Sequence, residues 1–292
     1  MPADSDTPAA DMDDADDDVL VPIPPDHGEA EPAPEEVQAN LYDFPKYYDL
    51  VFGSDWKAEY DFLLDGIKKH GDGAVQTMFE PACGTGRLMV KLGKAGYAIA
   101  GNDLNEKAVA FCNARLARHG LPETAVVGDM ADFSVEEPVD ACFNMINSFR
   151  HLGSQAEAES HLNCIADALR PGGLYFLGLH LTPEDDDWEG EETWHARRGQ
   201  LSIISDLRTT HFDRANRMET LGMTFDVSTP TRRFIMRDVM HYRTYTRVEI
   251  KELFQTVDRF EILETYDFCY EIDEPIEIDA LTEDVVFVLK KK

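Results

Sequence analysis

Basic residues are scarce in this sequence: 27 Lys and Arg stand against 57 Asp and Glu, a formal charge of −30 over 292 residues. A protein that wraps nucleic acid or lies on an anionic membrane needs a basic face, so the deficit argues against both. Cysteine is sparse too. Cys83, Cys112, Cys142, Cys164 and Cys269 are odd in number, widely spaced and form no CxxC pair. They suggest neither a disulfide framework nor a zinc site, and a reducing cytoplasm is expected. Long apolar runs are missing. The longest, Gly173–Leu179, is far short of the roughly 20 residues of a membrane span. The N-terminus has neither the basic nor the apolar segment of a signal peptide, so none is expected.

What is present is unevenly spread. Residues 1–40 hold 13 acidic side chains, no Lys or Arg and no Phe, Tyr or Trp, amid much Pro and Ala. Such a segment buries too little apolar surface to offset the entropy of ordering it, so residues 1–40 read as a disordered acidic tail. The other 252 residues still carry 44 acidic against 27 basic side chains. From Leu41 aromatics appear abruptly, and Ala58–Lys69 has helical apolar spacing through Tyr60, Leu63, Leu64 and Ile67.

Beyond that point strands and helices alternate. Strands are expected at Val75–Phe79, Tyr97–Asn102, Ala125–Val127, Val139–Ile146 and Leu174–Leu179, and helices at Gly86–Ala95, Lys107–His119 and Gln155–Leu169. Gly120 is placed to end the second of these helices. This rhythm predicts a doubly wound α/β fold with a parallel sheet and helices on both faces. It breaks over residues 182–246. There Leu201–Leu207 and Met218–Phe225 alternate with period two, as in antiparallel strands inserted after the fifth strand. The parallel pattern is expected to resume with a helix at Arg247–Thr256 and strands at Phe260–Tyr266 and Val285–Leu289. One domain over residues 41–292 is therefore expected.

The stretch Met78-Phe-Glu-Pro-Ala-Cys-Gly-Thr-Gly-Arg-Leu lies where the first of these strands meets a helix. Ala82, Gly84 and Gly86 let the backbone turn tightly and approach a ligand, and the helix N–H groups beyond can hold an anion. A dinucleotide site would want a glycine at position 89, which is Met89. Asp103 closes the next strand, where a carboxylate can accept both hydroxyls of a ribose. Asp129 follows the third strand and suits an exocyclic amine. In open α/β sheets ligands sit at the carboxyl ends of the strands, so three ordered strand-end signals point to one nucleoside-bearing ligand.

On these residues the sequence resembles the class I S-adenosylmethionine-dependent methyltransferases of small-molecule type. Glu80-Pro-Ala-Cys-Gly-Thr-Gly is similar to their first motif, with Ala82 in place of the usual first glycine. The resemblance implies their Rossmann-like sheet and S-adenosyl-L-methionine as cofactor. It implies cofactor contacts from Tyr48, Glu80, Ala82, Gly84, Gly86, Asp103, Leu104, Asp129, Met130 and Asn147; no metal is expected, because the acids of the Asp185–Asp187 run stand without spaced ligands nearby. Tyr47-Tyr-Asp resembles an N-terminal segment that closes over the cofactor, and the strand-rich insertion resembles that of amino-sugar N-methyltransferases.

Methyl transfer from a sulfonium is an in-line displacement in which the protein aligns the partners and excludes water. A protonated amine or a hydroxyl acceptor must also lose a proton. Asn147-Ser-Phe-Arg-His-Leu, at the fourth strand's end, should face the acceptor, which makes His151 the candidate base. His180 ends the fifth strand and is a weaker candidate for the pocket. Trp188, Trp194, Arg197, Arg233 and Tyr245 are candidates to line the acceptor site, and the Asp185–Asp187 run reads as a solvated loop. The expected function is methyl transfer to nitrogen or oxygen of a small-molecule acceptor. A non-catalytic cofactor-binding or interaction module and a protein methyltransferase are the alternatives, and a homodimer through the insertion stays open. A nucleic-acid acceptor is disfavoured by the acidic body and by Asn144-Met-Ile-Asn where an Asn-Pro-Pro-Tyr type tetrapeptide would stand.

Overall fold

The computed structural model describes residues 34–53, 56–184 and 190–292. A short strand β1 (Glu35–Gln38) opens it, followed by a single 3-10 turn at Leu41–Asp43, then α1 (Pro45–Phe52) and α2 (Trp56–His70). The expected disordered tail is thus corrected at its end: Glu35–Gln38 pairs with another strand instead of dangling. Its acids are not merely repelling one another, because Arg232 meets Glu35 and Arg237 meets Glu36. Residues 1–33 lie outside the described residues.

The α/β body follows as β2 (Thr77–Pro81), α3 (Arg87–Lys94), β3 (Ala98–Asp103), α4 (Glu106–Arg118), β4 (Ala125–Val127), β5 (Val139–Asn144), α5 (Gln155–Ala168) and β6 (Leu169–His180). The helix starts are written in the sequence. Asn105 caps α4 through its side chain, and Ser154 with Glu157 forms a capping box on α5. Gly120 stands just past α4 at φ 70, a backbone conformation that glycine adopts without strain.

Next come β7 (Glu191–Arg198), β8 (Leu201–Asp213), β9 (Met218–Thr229) and β10 (Arg232–Arg243), then α6 (Arg247–Val257), β11 (Phe260–Tyr266) and β12 (Asp284–Lys291). Seven strands form one sheet in the order β11-β12-β6-β5-β2-β3-β4. From β6 to β4 every pair is parallel, as the alternation predicts. The expectation that the parallel pattern resumes at the end is corrected: β12 runs antiparallel to both β6 and β11. No helix separates β11 from β12, so the chain turns back without a crossover.

Strands buried on both faces explain the continuous apolar runs. In β12, Val285, Phe287 and Leu289 join the core under α5 and α6, while Val286 and Val288 join the core under α2, α3 and α4. A second sheet, β1-β10-β9-β8-β7, is built from the insertion plus the N-terminal strand. It buries one face only. Leu221, Met223, Phe225 and Val227 of β9 pack with Phe234, Met236 and Met240 of β10 against Leu41, Leu50 and Val51. The N-terminal segment is therefore the filling between the insertion and the body. Among the described residues no helix is long and apolar enough to cross a membrane.

Candidate functional site

The turn after β2 is built from left-handed backbone. Ala82, Gly84 and Gly86 all have positive φ, at 51°, 53° and 69°. Ala82 is the exception, since a Cβ in this conformation is strained. The two glycines serve different ends. A Cβ on Gly84 would point into open space beside the cavity, whereas one on Gly86 would come within 2.3 Å of Cys112 Sγ. Gly84 keeps the approach to a ligand open and Gly86 lets α3 pack against α4.

Two adjoining cavities, of about 380 Å³ and about 470 Å³, meet at this turn, and both are lined by Tyr42, Tyr48, Ala82, Gly84, Thr85 and Ser148. The larger is built from strand ends. Asp103 accepts from the Gly84 and Asn105 backbone N–H groups, each at 2.8 Å. Burial pushes its carboxyl above the ordinary value, while those two donors favour the charged form. Leu104, Gly128 and Met130 complete an apolar slot in which Leu104 is 68 % exposed.

The smaller cavity is lined by Glu80, Asn144, Asn147, Arg150, His180, Glu192, Trp194 and Glu219, among others. It is rich in carboxylates. Glu80 is buried with Oε2 unpartnered, and burial raises its carboxyl well above the usual range against the pull of nearby Arg87. Asn144 donates to Pro81 O at 2.9 Å and leaves its own buried Oδ1 unpartnered. The cations here sit in ion pairs, with Arg87 Nη1 left unpartnered. Arg87 holds Glu59 at 2.6 Å, and Arg150 holds Glu219 at 2.5 Å with both side chains buried. His180 Nδ1 lies 2.5 Å from Asp284 Oδ1.

The N-terminal segment roofs both cavities and is tied down by its own acids. Asp49 of α1 accepts from Thr85 Oγ1 at 2.8 Å and from Arg115, joining the glycine turn to α4. Asp43 reaches Asn105 and Lys107. Tyr42 OH lies 2.8 Å from His151 Nε2, and the His151 ring packs edge-on against Tyr42 and Tyr242. Burial raises the Tyr42 and Tyr242 phenols above their ordinary range, so both stay neutral. His151 is exposed where it lines the cavity, and the protein around it, with Arg150 alongside, lowers its imidazole to about 4.

Of the residues singled out in the sequence, Tyr48, Glu80, Ala82, Gly84, Asp103, Leu104, Met130, Asn147 and His151 line these cavities. Gly86 and Asp129 do not: Gly86 acts behind the turn, and Asp129 Oδ1 accepts from Ala131 N at 2.8 Å at the rim. His151 lies with Asp103 and Met130, not in the cavity that holds His180. Trp194 lines the smaller cavity, whereas Arg197 bonds Gly199 O, Arg233 pairs with Asp226 and Tyr245 is fully buried beside Phe149. Trp188 and Asp185–Asp187 lie outside the described residues. Tyr42, Arg87, Glu192, Glu219 and Asp284 were not singled out. Only Tyr42, in the abrupt aromatic run, had a signal that could have found it.

Residues 79–173 match the family model of a methyltransferase domain. A dTDP-3-amino-3,6-dideoxy-alpha-D-glucopyranose N,N-dimethyltransferase of Streptomyces fradiae is 26 % identical over 212 residues, which is 71 % of this chain and 80 % of that protein. Among solved structures, an S-adenosylmethionine-dependent methyltransferase from Clostridium acetobutylicum superposes with a TM-score of 0.71 at 16 % identity, over 86 % of this chain and 99 % of that one. An S-adenosylmethionine-bound amino pentose methyltransferase from Micromonospora echinaspora gives 0.66 at 20 % identity, over 88 % and 99 %.

Proposed function

We infer that this chain, a class I S-adenosylmethionine-dependent methyltransferase acting on nitrogen or oxygen of a small molecule, takes an amine as its acceptor, on a small polar scaffold such as an amino sugar. The observation that carries the amine is the smaller cavity. Glu192 lines it, Asp284 stands behind His180, and its two arginines are in ion pairs with Glu59 and Glu219. Carboxylates in a confined cavity select a cation by Coulomb attraction and reject a bare anion. The Streptomyces fradiae relative is named for an amino-sugar acceptor, which agrees with this reading.

The residues present suit the cofactor. Asp103 has acceptor capacity for ribose hydroxyls beyond its two backbone bonds, Leu104 and Met130 offer an apolar slot for a base, and Glu80 has a free oxygen for an ammonium group. The cofactor supplies a methyl group already activated on a sulfonium. The protein's part is to hold Asp103 and Glu80 at fixed strand ends, to roof the site with Tyr42 and Tyr48, and to keep water out. His151 Nε2 is engaged by Tyr42 OH, so its role in this reading is to anchor Tyr42 at the junction of the cavities.

Calorimetric titration with S-adenosylmethionine and an S-adenosylhomocysteine release assay over a panel of amino sugars test the reading. Micromolar cofactor binding is expected, weakened about a hundredfold by Asp103→Ala, since two charge-assisted hydrogen bonds are each worth about 1.5–3 kcal/mol. Turnover of hydroxyl acceptors with none of primary amines would refute the amine assignment.

A further inference from the structure

We propose that His180, oriented by Asp284, is the base that removes the proton from the acceptor; the inference rests on the methyl-transfer reading above and names the group that completes it. His180 ends β6 and lines the smaller cavity with Asn144, Asn147 and Glu80. Three contacts fix it. Nδ1 lies 2.5 Å from Asp284 Oδ1, the ring packs on Phe268 with centroids 5.2 Å apart, and the backbone N–H donates to Asn147 Oδ1 at 2.8 Å. Asn147 takes the left-handed conformation at φ 56 and gives its own N–H to Gly178 O at 3.1 Å. Backbone strain is thus held at the residue that locks the end of β6 in place.

An ionised carboxylate can only accept, so Nδ1 of His180 carries the ring proton and Nε2 presents its lone pair. A carboxylate behind an imidazole fixes this tautomer and stabilises the imidazolium once it forms. Glu192, carried in from β7, lines the same cavity; burial raises its carboxyl above the ordinary value, while nearby His180 favours its charged form. His151 has no such backing: its Nε2 is taken up by Tyr42 OH in the neighbouring cavity.

The step balances simply. The acceptor ammonium gives one N–H proton to His180 Nε2, and the freed nitrogen lone pair forms the new N–C bond to the methyl carbon. The C–S bonding pair stays on sulfur, leaving a neutral thioether and a methylated ammonium. The imidazolium then releases its proton to water. No oxidant or metal is required.

Two readouts test this in the full-length protein. In ¹⁵N-histidine-labelled enzyme the His180 ring is expected as the Nδ1–H tautomer at neutral pH, reverting toward the Nε2–H tautomer in Asp284→Asn and restored in Asp284→Glu. An Nε2–H tautomer in the parent protein would overturn the proposal. For turnover, the acceptor is whichever amino sugar of the panel the parent enzyme methylates. His180→Gln is expected to lose about a hundredfold in kcat while its S-adenosylmethionine affinity by calorimetry stays within twofold. Added imidazole should partly rescue His180→Ala. Undiminished kcat in His180→Gln would remove it from the mechanism. Failure of the parent enzyme to bind the cofactor would instead refute the family reading, whatever the tautomer shows.

Discussion

Glu80 concentrates the electrostatics of the site in one residue. It is buried, one oxygen has no partner, and its carboxyl is raised by burial. A cationic group arriving there draws out the charged form, so cofactor binding should favour release of a proton from Glu80. Calorimetry in phosphate and in Tris is therefore expected to give different binding enthalpies, and Glu80→Gln should abolish the difference. Equal enthalpies in the two buffers for the parent protein would count against it. At this scale the meeting of the glycine turn and Asp103 in one cavity was legible because its signals are local: a small-residue turn, and an acid at a strand end. The acceptor half was not. His180 and Asp284 are 104 positions apart on neighbouring strands of one sheet, Arg150 and Glu219 are 69 apart, on a 3-10 turn and on β9, and no spacing rule in the sequence joins such residues.

At the scale of elements, the insertion is held to the body by the buried pair Arg150–Glu219, which also receives Thr209 Oγ1 on Glu219 and returns Arg150 Nε to Arg243 O. A buried charge left without its mate is costly. Glu219→Ala is expected to destabilise the fold by about 3–5 kcal/mol in urea denaturation, whereas Arg150→Met combined with Glu219→Leu should recover most of the loss. A mild effect of the single variant would show that the pair is dispensable. The positions of α2 to α6 were read from the sequence to within about two residues, because capping residues and apolar runs mark them directly, whereas β6 begins at Leu169 rather than Leu174 and β8 runs on to Asp213 rather than ending at Leu207. The direction of β12 was not, since Val285–Leu289 has the same pattern whichever way the strand runs. The sheet of the insertion was recognised from β8 and β9, whose period-two burial is clean, while β7 is too exposed to declare itself.

For the molecule as a whole, pH acts through buried neutral histidine. His161 is fully buried between Met130 O and Tyr175 OH, both at 2.8 Å, and burial lowers it to about 4 from an ordinary 6.5. Between those values the unfolded chain binds a proton that the native state does not, so stability falls as pH drops through 6.5 toward 4. The loss approaches about 1.4 kcal/mol per pH unit for this one group. Urea midpoints measured from pH 7 to 5 should decline accordingly, and His161→Gln should flatten that decline even if it lowers the starting stability. A parallel decline in the variant would assign the acid sensitivity elsewhere.

The strand Glu35–Gln38 also bears on how the protein keeps to itself. It lies along β10 in parallel register, from Glu35 opposite Phe234 to Gln38 opposite Arg237, with Ala39 N continuing the ladder to Arg237 O at 3.1 Å. Without it, β10 would present a bare row of N–H and C=O groups beside Phe234 and Met236, a template for pairing with another chain. Composition invites trimming the acidic segment at residue 40, and that cut removes the cover. A chain beginning at residue 41 is expected to self-associate in light scattering at concentrations where one beginning at residue 34 stays dispersed. The last acids of the tail, spliced onto arginines, serve as a built-in guard against aggregation.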